Sequence, residues 1–265
     1  MKNKRTVQQL LKMKQEGEKI ACLTAYDASF ARLLDDAGVD LLLVGDSLGM
    51  VLHGRENTLE VTVNDIIYHT RQVSRGATRA MVVADMPFMS YTTPAQALGN
   101  AARMLSEGGA QMVKLEGGEN AVEIVRHLSR FDIPVCGHLG LKPQSVNKYG
   151  GYRVQGREQE DAEQMVQDAV ALQEAGAMLL VLECIPARLA AEISRTITIP
   201  TIGIGAGVEC DGQILVLYDI LGISMRSPHL ARDFMEGRGT IRAAVDAYVA
   251  AVKNGTFPGA ENSFD

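Results

Sequence analysis

The chain has 265 residues, 46% of them hydrophobic and 22% charged, enough to bury the core of one large domain, since barrels of roughly 250 residues are ordinary single domains. A net charge of -6, few aromatics and no basic stripe exclude the electrostatic footprint of a nucleic-acid binder. No run approaches the roughly 20 apolar residues of a membrane span, and the basic start Met1-Lys2-Asn3-Lys4-Arg5 leads into an amphipathic helix rather than the apolar core of a signal peptide, so a cytoplasmic protein is expected.

In chain order, Thr6 with Gln9 forms a capping box for a first helix that Gly17 stops, and this helix reads as a lid on the amino-terminal end of a barrel. Ile20 to Ala25 is a first strand. Asp27 caps a helix to about Asp36. Leu41 to Gly45 is a second strand, whose unbroken branched apolar run marks burial on both faces, as in parallel sheets covered by helices. Asn64 caps a helix to about Arg75, leading to a third strand, Met81 to Asp85. Thr93-Pro94 opens the next helix with cap and first-turn proline in the preferred order, and Gly108-Gly109 ends it. Gln111 to Glu116 is a fourth strand, followed by a helix from about Asn120 to Arg130. The fifth strand is Ile133 to His138, with Pro134 near its start, where a missing donor is tolerable. A helix over Glu160 to Ala175, a sixth strand from Met178 to Glu183 and a helix from Pro186 to Arg195 come next. Strands at Thr201 to Ile204 and Ile214 to Leu217 and a terminal helix from Thr240 to Lys253 complete the chain. Eight apolar runs alternating with helices, with no linker or composition break, predict a single (β/α)8 TIM barrel domain over 1–265, with an extra amino-terminal helix. An open doubly wound sheet is the alternative. Cys22, Cys136, Cys184 and Cys210 are widely spaced with no Cys-x-x-Cys pair, so buried thiols are expected rather than disulfides or a zinc site.

The charges fall where the strands end. Asp46, Asp85, Lys114 with Glu116, His138 and Glu183 end strands two to six in turn, and in a closed barrel they face the one mouth that opens into a pocket. Lys114 and Glu116, two apart, share a side. Asp46, Asp85 and Glu116 gathered in a partly dry pocket would repel, so at least one takes up a proton unless a cation neutralises them. Oxygen ligands in short supply favour Mg²⁺ over Zn²⁺. Each residue also has an ordinary structural reading. Either aspartate alone serves equally well as a cap, Lys114 can pair with Glu116, and a lone histidine such as His138 is more often a hydrogen-bonded structural one. Glu183, between Leu182 and Cys184, is expected to have a raised pKa, which suits a general base and also a buried structural acid. Gly203-Ile204-Gly205-Ala206-Gly207 reads as a phosphate loop or a tight turn, and the long stretch from Gly140 to Gly156 as a mobile flap or a surface excursion.

Seven motifs in one order carry a resemblance that runs nearly end to end: Thr24-Ala25-Tyr26-Asp27, Val44-Gly45-Asp46-Ser47-Leu48-Gly49, Ala84-Asp85-Met86-Pro87-Phe88, Val113-Lys114-Leu115-Glu116-Gly117-Gly118, Gly137-His138-Leu139-Gly140-Leu141, Leu182-Glu183-Cys184 and the glycine run 203–207. The chain resembles the ketopantoate hydroxymethyltransferase family, barrels of the phosphoenolpyruvate/pyruvate-binding superfamily. The resemblance implies transfer of a hydroxymethyl group from 5,10-methylenetetrahydrofolate to 3-methyl-2-oxobutanoate, giving 2-dehydropantoate in pantothenate biosynthesis, by a homodecamer. It implies Mg²⁺ on Asp46 and Asp85, with Glu116 completing the site directly or through water. It places substrate against Asp46, Ser47, Asp85 and Lys114, makes Glu183 the proton acceptor, and leaves His138 beside the substrate or behind the ligands. Val208, Tyr218 and Pro228-His229-Leu230 depart from the usual pattern, outside the metal constellation. Two other functions stay open: a Mg-dependent carbon-carbon lyase acting on a 2-oxo or 2-hydroxy acid, and a catalytically silent barrel that binds a 2-oxo acid.

Overall fold

A computed structural model describes residues 4–151, 153–224 and 228–265. Met1 to Asn3 of the basic start and Tyr152 of the long loop lie outside the described residues. Strands β1 (Ile20–Thr24), β2 (Leu41–Val44), β3 (Met81–Asp85), β4 (Met112–Glu116), β5 (Val135–Gly140), β6 (Leu179–Glu183), β7 (Thr201–Ile204) and β8 (Gly212–Leu215) pair in parallel in chain order. β8 closes on β1, with Ile20 opposite Gly212, so the sheet is a closed (β/α)8 barrel and not an open doubly wound sheet. The helices are α1 (Val7–Glu16), α2 (Ala28–Asp36), α3 (Leu48–Val51), α4 (Val63–Gly76), α5 (Pro94–Ser106), α6 (Glu119–Arg130), α7 (Val146–Tyr149), α8 (Gln159–Glu174), α9 (Ala187–Thr196), α10 (Leu217–Ile220) and α11 (Ile241–Lys253). Among the described residues no helix is long and apolar enough to cross a membrane. All four cysteines are buried and free.

The barrel interior is an apolar column that includes Ile20, Cys22, Leu41, Leu43, Met81, Val83, Met112 and Val181. Leu10 and Met13 of α1 close it from below, which makes the first helix the expected lid. Each of those two side chains stabilises by roughly 1.5–3 kcal/mol on burial. Outward-facing strand residues such as Leu42, Val82 and Leu180 pack instead against the surrounding helices. The same period of two fixes the mouth. Met81 and Val83 point inward, so Asp85 does too; Met112 is followed inward by Lys114 and Glu116, Cys136 by His138, and Val181 by Glu183.

The boundaries differ from expectation in three instructive places. β5 begins at Val135 rather than Ile133 and runs past His138 to Gly140, because Pro134 contributes only its carbonyl, to Val113, while Gly140 pairs with Glu183. At Gly140, with φ at 91°, an added Cβ would run into the Glu183 carbonyl oxygen, so only glycine lets the two strands meet there. β8 starts at Gly212 rather than Ile214, and at Leu217 the chain already turns into a short helix. The cap of α4 is Thr62, in a capping box with Asp65, while the expected cap Asn64 accepts a hydrogen bond from Arg103. Gly203 and Ile204 end β7, and the chain then bends through Gly205 and Ala206 in close packing: Leu230 and Phe264 lie on Gly205, and Ala187 closes on Gly207. Phe264 is itself held by pairing with the backbone around Pro186 and Ala187.

Candidate active site

Strand order brings Asp46, Ser47, Asp85, Lys114, Glu116, His138 and Glu183 to one cavity of about 110 Å³ at the carboxyl mouth. Leu43, Val181, Ile204, Ile214, Leu215 and Val216 form its apolar side. Neither aspartate is a helix cap. Asp85 takes the Lys114 ammonium at 2.6 Å and the Asp46 N–H at 3.3 Å. Asp46 accepts from the side-chain amide of Gln144 at 2.9 Å, and the next long helix after Asp85, α5, is capped by Thr93. Ser47 shares a hydrogen bond with the Tyr26 hydroxyl at 2.9 Å. Lys114 thus pairs with Asp85 across the strands rather than with Glu116 along its own.

Four carboxyl groups face this one ammonium, and their protonation follows from burial. Asp46 is pushed up to about 7, chiefly because it is buried and then because the Asp85 charge lies beside it. Glu183 is pushed up to about 7 by burial, against the pull of Lys114. Burial also drives Glu116 well above the usual carboxylate range; Lys114 opposes this and the other three carboxylates add to it. Burial lowers His138 well below its ordinary value, with Lys114 adding to the effect, so the imidazole is neutral. For Lys114 burial alone would lower the pKa, yet Asp85, Glu116 and Asp46 raise it overall, and the ammonium stays charged.

Several buried atoms remain without a hydrogen-bond partner. Glu116 Oε1 and both ring nitrogens of His138 are among them. The imidazole lies between two acids, with Nδ1 3.7 Å from Glu116 Oε1 and Nε2 3.3 Å from Glu183 Oε2, neither aligned as a hydrogen bond. Such groups persist where a ligand completes the shell. A larger cavity of about 300 Å³ lies behind Glu116 and Gln144 and is lined by Phe88, Met89, Tyr91 and Lys142 among others. Glu183 is not among its walls.

Two residues here carry no signal of their own in the sequence, Gln144 and Tyr91, while Tyr26 is marked only by its place in the first motif, with no role read for it. The only pointer to Gln144 is the unusual length of the loop that begins just beyond His138. That loop turns inward through a 3-10 turn at Pro143–Ser145, and this buries Gln144.

A closed parallel barrel with acids, a lysine and a histidine at the inward ends of consecutive strands defines an α/β-barrel enzyme whose chemistry sits at the carboxyl mouth. Solved structures share the fold: 2,3-dimethylmalate lyase, of the PEP mutase/isocitrate lyase superfamily, matches with a TM-score of 0.57 at 20% identity over 79% of this chain and 80% of that one. A putative phosphonomutase from Burkholderia cenocepacia matches with a TM-score of 0.64 at 15% identity, over 82% of this chain and 95% of that one. Residues 4–260 match the family described as ketopantoate hydroxymethyltransferase, and the chain belongs to that family. It is similar to the 3-methyl-2-oxobutanoate hydroxymethyltransferase of Halorhodospira halophila, 60% identical over 98% of this chain and 94% of the relative. The Shewanella frigidimarina protein of the same name is 56% identical, over 99% of this chain and the whole of the relative.

Proposed function

We propose that the protein transfers a hydroxymethyl group from 5,10-methylenetetrahydrofolate to 3-methyl-2-oxobutanoate, giving 2-dehydropantoate for pantothenate synthesis. The observation that carries this reading is Glu183, held near neutrality at about 7, in one small cavity with the Asp46–Asp85 pair and an apolar wall for a branched carbon chain.

The donor set fits a hard divalent cation, for which we infer Mg²⁺. Asp46 and Asp85 are adjacent carboxylates, Lys114 offsets only one charge, and Glu116 Oε1 is buried without a partner. Among the described residues no three His, Cys, Asp or Glu side chains are grouped so as to hold a metal ion, so water and substrate oxygens would have to complete the shell, as Mg²⁺ commonly allows. Asp46 and Asp85 would hold the ion, with Glu116 beside them or one water away. When bound it supplies positive charge where charge develops on the keto oxygen, worth several kcal/mol.

The chain's own residues do the remainder. Lys114 and Ser47 orient the substrate carboxylate. Glu183, as a carboxylate, removes the proton from C3, a role worth on the order of 10²- to 10⁴-fold. Water frees the one-carbon unit from the folate donor at the formaldehyde level as its two carbon-nitrogen bonds break and tetrahydrofolate leaves. The deprotonated carbon then bonds to that unit, and the new hydroxymethyl oxygen takes up a proton. The neutral His138 beside Glu183 stands by the substrate. A cytoplasmic location, one domain spanning the chain and a homodecamer accord with this role; exposed Phe88, Met89 and Phe131 offer apolar surface for subunit contacts, and light scattering measures the assembly.

The test is formation of 2-dehydropantoate from the oxo acid with and without the folate donor, and with and without Mg²⁺. Product is expected only with both. Carbon-carbon cleavage without folate would make the protein a lyase, and oxo-acid binding with no C3 exchange would make it a silent binding barrel.

A further inference from the structure

The geometry points to Gln144 as a positioning residue that presents one oxygen of Asp46 and one of Glu116 to the ligand by gripping the other oxygen of each. Its buried amide nitrogen donates to Asp46 Oδ2 at 2.9 Å and to the Met86 carbonyl at 3.0 Å. Its backbone N–H donates to Glu116 Oε2 at 3.3 Å, while Glu116 Oε1 is left buried with no partner. The amide orientation is fixed by chemistry: a carbonyl oxygen such as that of Met86 can only accept, so the nitrogen must face it. The amide oxygen then accepts from the Tyr91 hydroxyl at 2.9 Å. Tyr91 also touches the Glu116 backbone, which fixes the phenol against β4. Both amide N–H donors are thereby used, and one residue of the loop after β5 is locked to the ends of β2, β3 and β4.

Gln144 does not line the catalytic cavity; it lies behind it, on the wall shared with the larger one. Its effect therefore passes through the two carboxylates. An unheld Asp46 would be free to rotate away from the cation position, and Glu116 likewise. Groups that orient metal ligands in this way are worth about 10- to 100-fold in metal affinity or activity.

The inference rests on the proposed function for its cation and oxo acid, and two variants test it. Gln144→Leu keeps bulk and removes every hydrogen bond of the side chain. Tyr91→Phe removes the hydroxyl that holds the amide oxygen, and with it that hydroxyl's contacts to the Glu116 backbone, while leaving the Gln144 side chain in place. Mg²⁺ affinity is measured by calorimetry, KM and kcat for the oxo acid by deuterium exchange at C3 without folate, and fold by thermal denaturation. Gln144→Leu is expected to weaken Mg²⁺ binding and raise KM by roughly 10- to 100-fold, with kcat reduced far less. Tyr91→Phe is expected to move both in the same direction by a smaller factor, and it decides the matter if Gln144→Leu does not fold. Wild-type Mg²⁺ affinity and KM in the folded variants, with loss confined to melting temperature or kcat, would overturn the role and leave Gln144 a structural plug. A wild-type protein that binds Mg²⁺ yet makes no folate-dependent product overturns the proposed reaction while the affinity comparison stands; one that binds no Mg²⁺ overturns both.

Discussion

At the amino-terminal end of the barrel, buried Asp40 accepts hydrogen bonds from Arg5 and Lys253, each at 2.6 Å, and from the Ala21 N–H. At the carboxyl-terminal end, the equally buried Asp46 has a second carboxylate for a neighbour and a neutral amide for a donor. Asp35, also at the amino-terminal end, extends the contrast. Burial alone would raise its pKa, but hydrogen bonds from Ala80, Thr78 and Arg79 hold the carboxyl below its usual range. Asp46 is pushed the other way, up to about 7. The side chains are about equally shielded from solvent, but Asp46 sits deeper among protein atoms, so it is more strongly desolvated and also has fewer donors. A buried acid matched by the protein supports the fold, whereas one left short of donors is stabilised only when something else completes its shell.

The sharpest way to test the working end is Glu183→Gln, which keeps shape and removes the base. Deuterium exchange at C3 is expected to fall on the order of 10²- to 10⁴-fold, with Mg²⁺ and oxo-acid binding retained by calorimetry. Undiminished exchange would remove Glu183 from the proton-accepting role. The supporting end is tested by Asp40→Ala. Urea denaturation should show a loss on the order of 3 kcal/mol, because two cations and a backbone donor lose their acceptor, while kcat/KM of the folded fraction stays at the wild-type value. A large change in kcat/KM would show that the two ends are not separable.

Mg²⁺ at a hundred times its dissociation constant should stabilise the protein by about 2.7 kcal/mol, read as a rise in melting temperature. Asp40→Ala should keep that increment and Asp46→Asn should lose it. The smallest effect concerns pH. Between the ordinary carboxylate values of 3.8 and 4.5 and the folded values of about 7, the native protein holds protons on Asp46 and Glu183 that the unfolded chain has released. The contribution of these two acids to cation-free stability is therefore fully present below that window and is lost as pH rises through it. Asp46→Asn should flatten part of this decline and make the cation-free protein more stable at pH 8, on the order of 1 kcal/mol. Because neutral, buried His138 contributes with the opposite sign up to the ordinary imidazole value, the test is the difference between wild type and Asp46→Asn: a difference that does not change from pH 5 to pH 8 would show that Asp46 is already matched.

The sequence alone determined the barrel and the column of site residues, because side-chain alternation is local: once Met112 faces inward, Lys114 and Glu116 must as well. It likewise placed Asp46, Asp85, His138 and Glu183 at one mouth, and the glycine and proline signals set most helix ends within a residue or two. What it left open was decided by register and loop path. Lys114 sits directly across from Asp85 in the ladder, so it pairs there and not with Glu116 two residues along its own strand. The end of β5 depended on Gly140 meeting Glu183 across the sheet. Gln144 lies 98 residues from Asp46 and reaches it only because the loop after β5 folds inward. A contact between residues so far apart in the chain exists only once the barrel closes, and no pattern within a single segment encodes it.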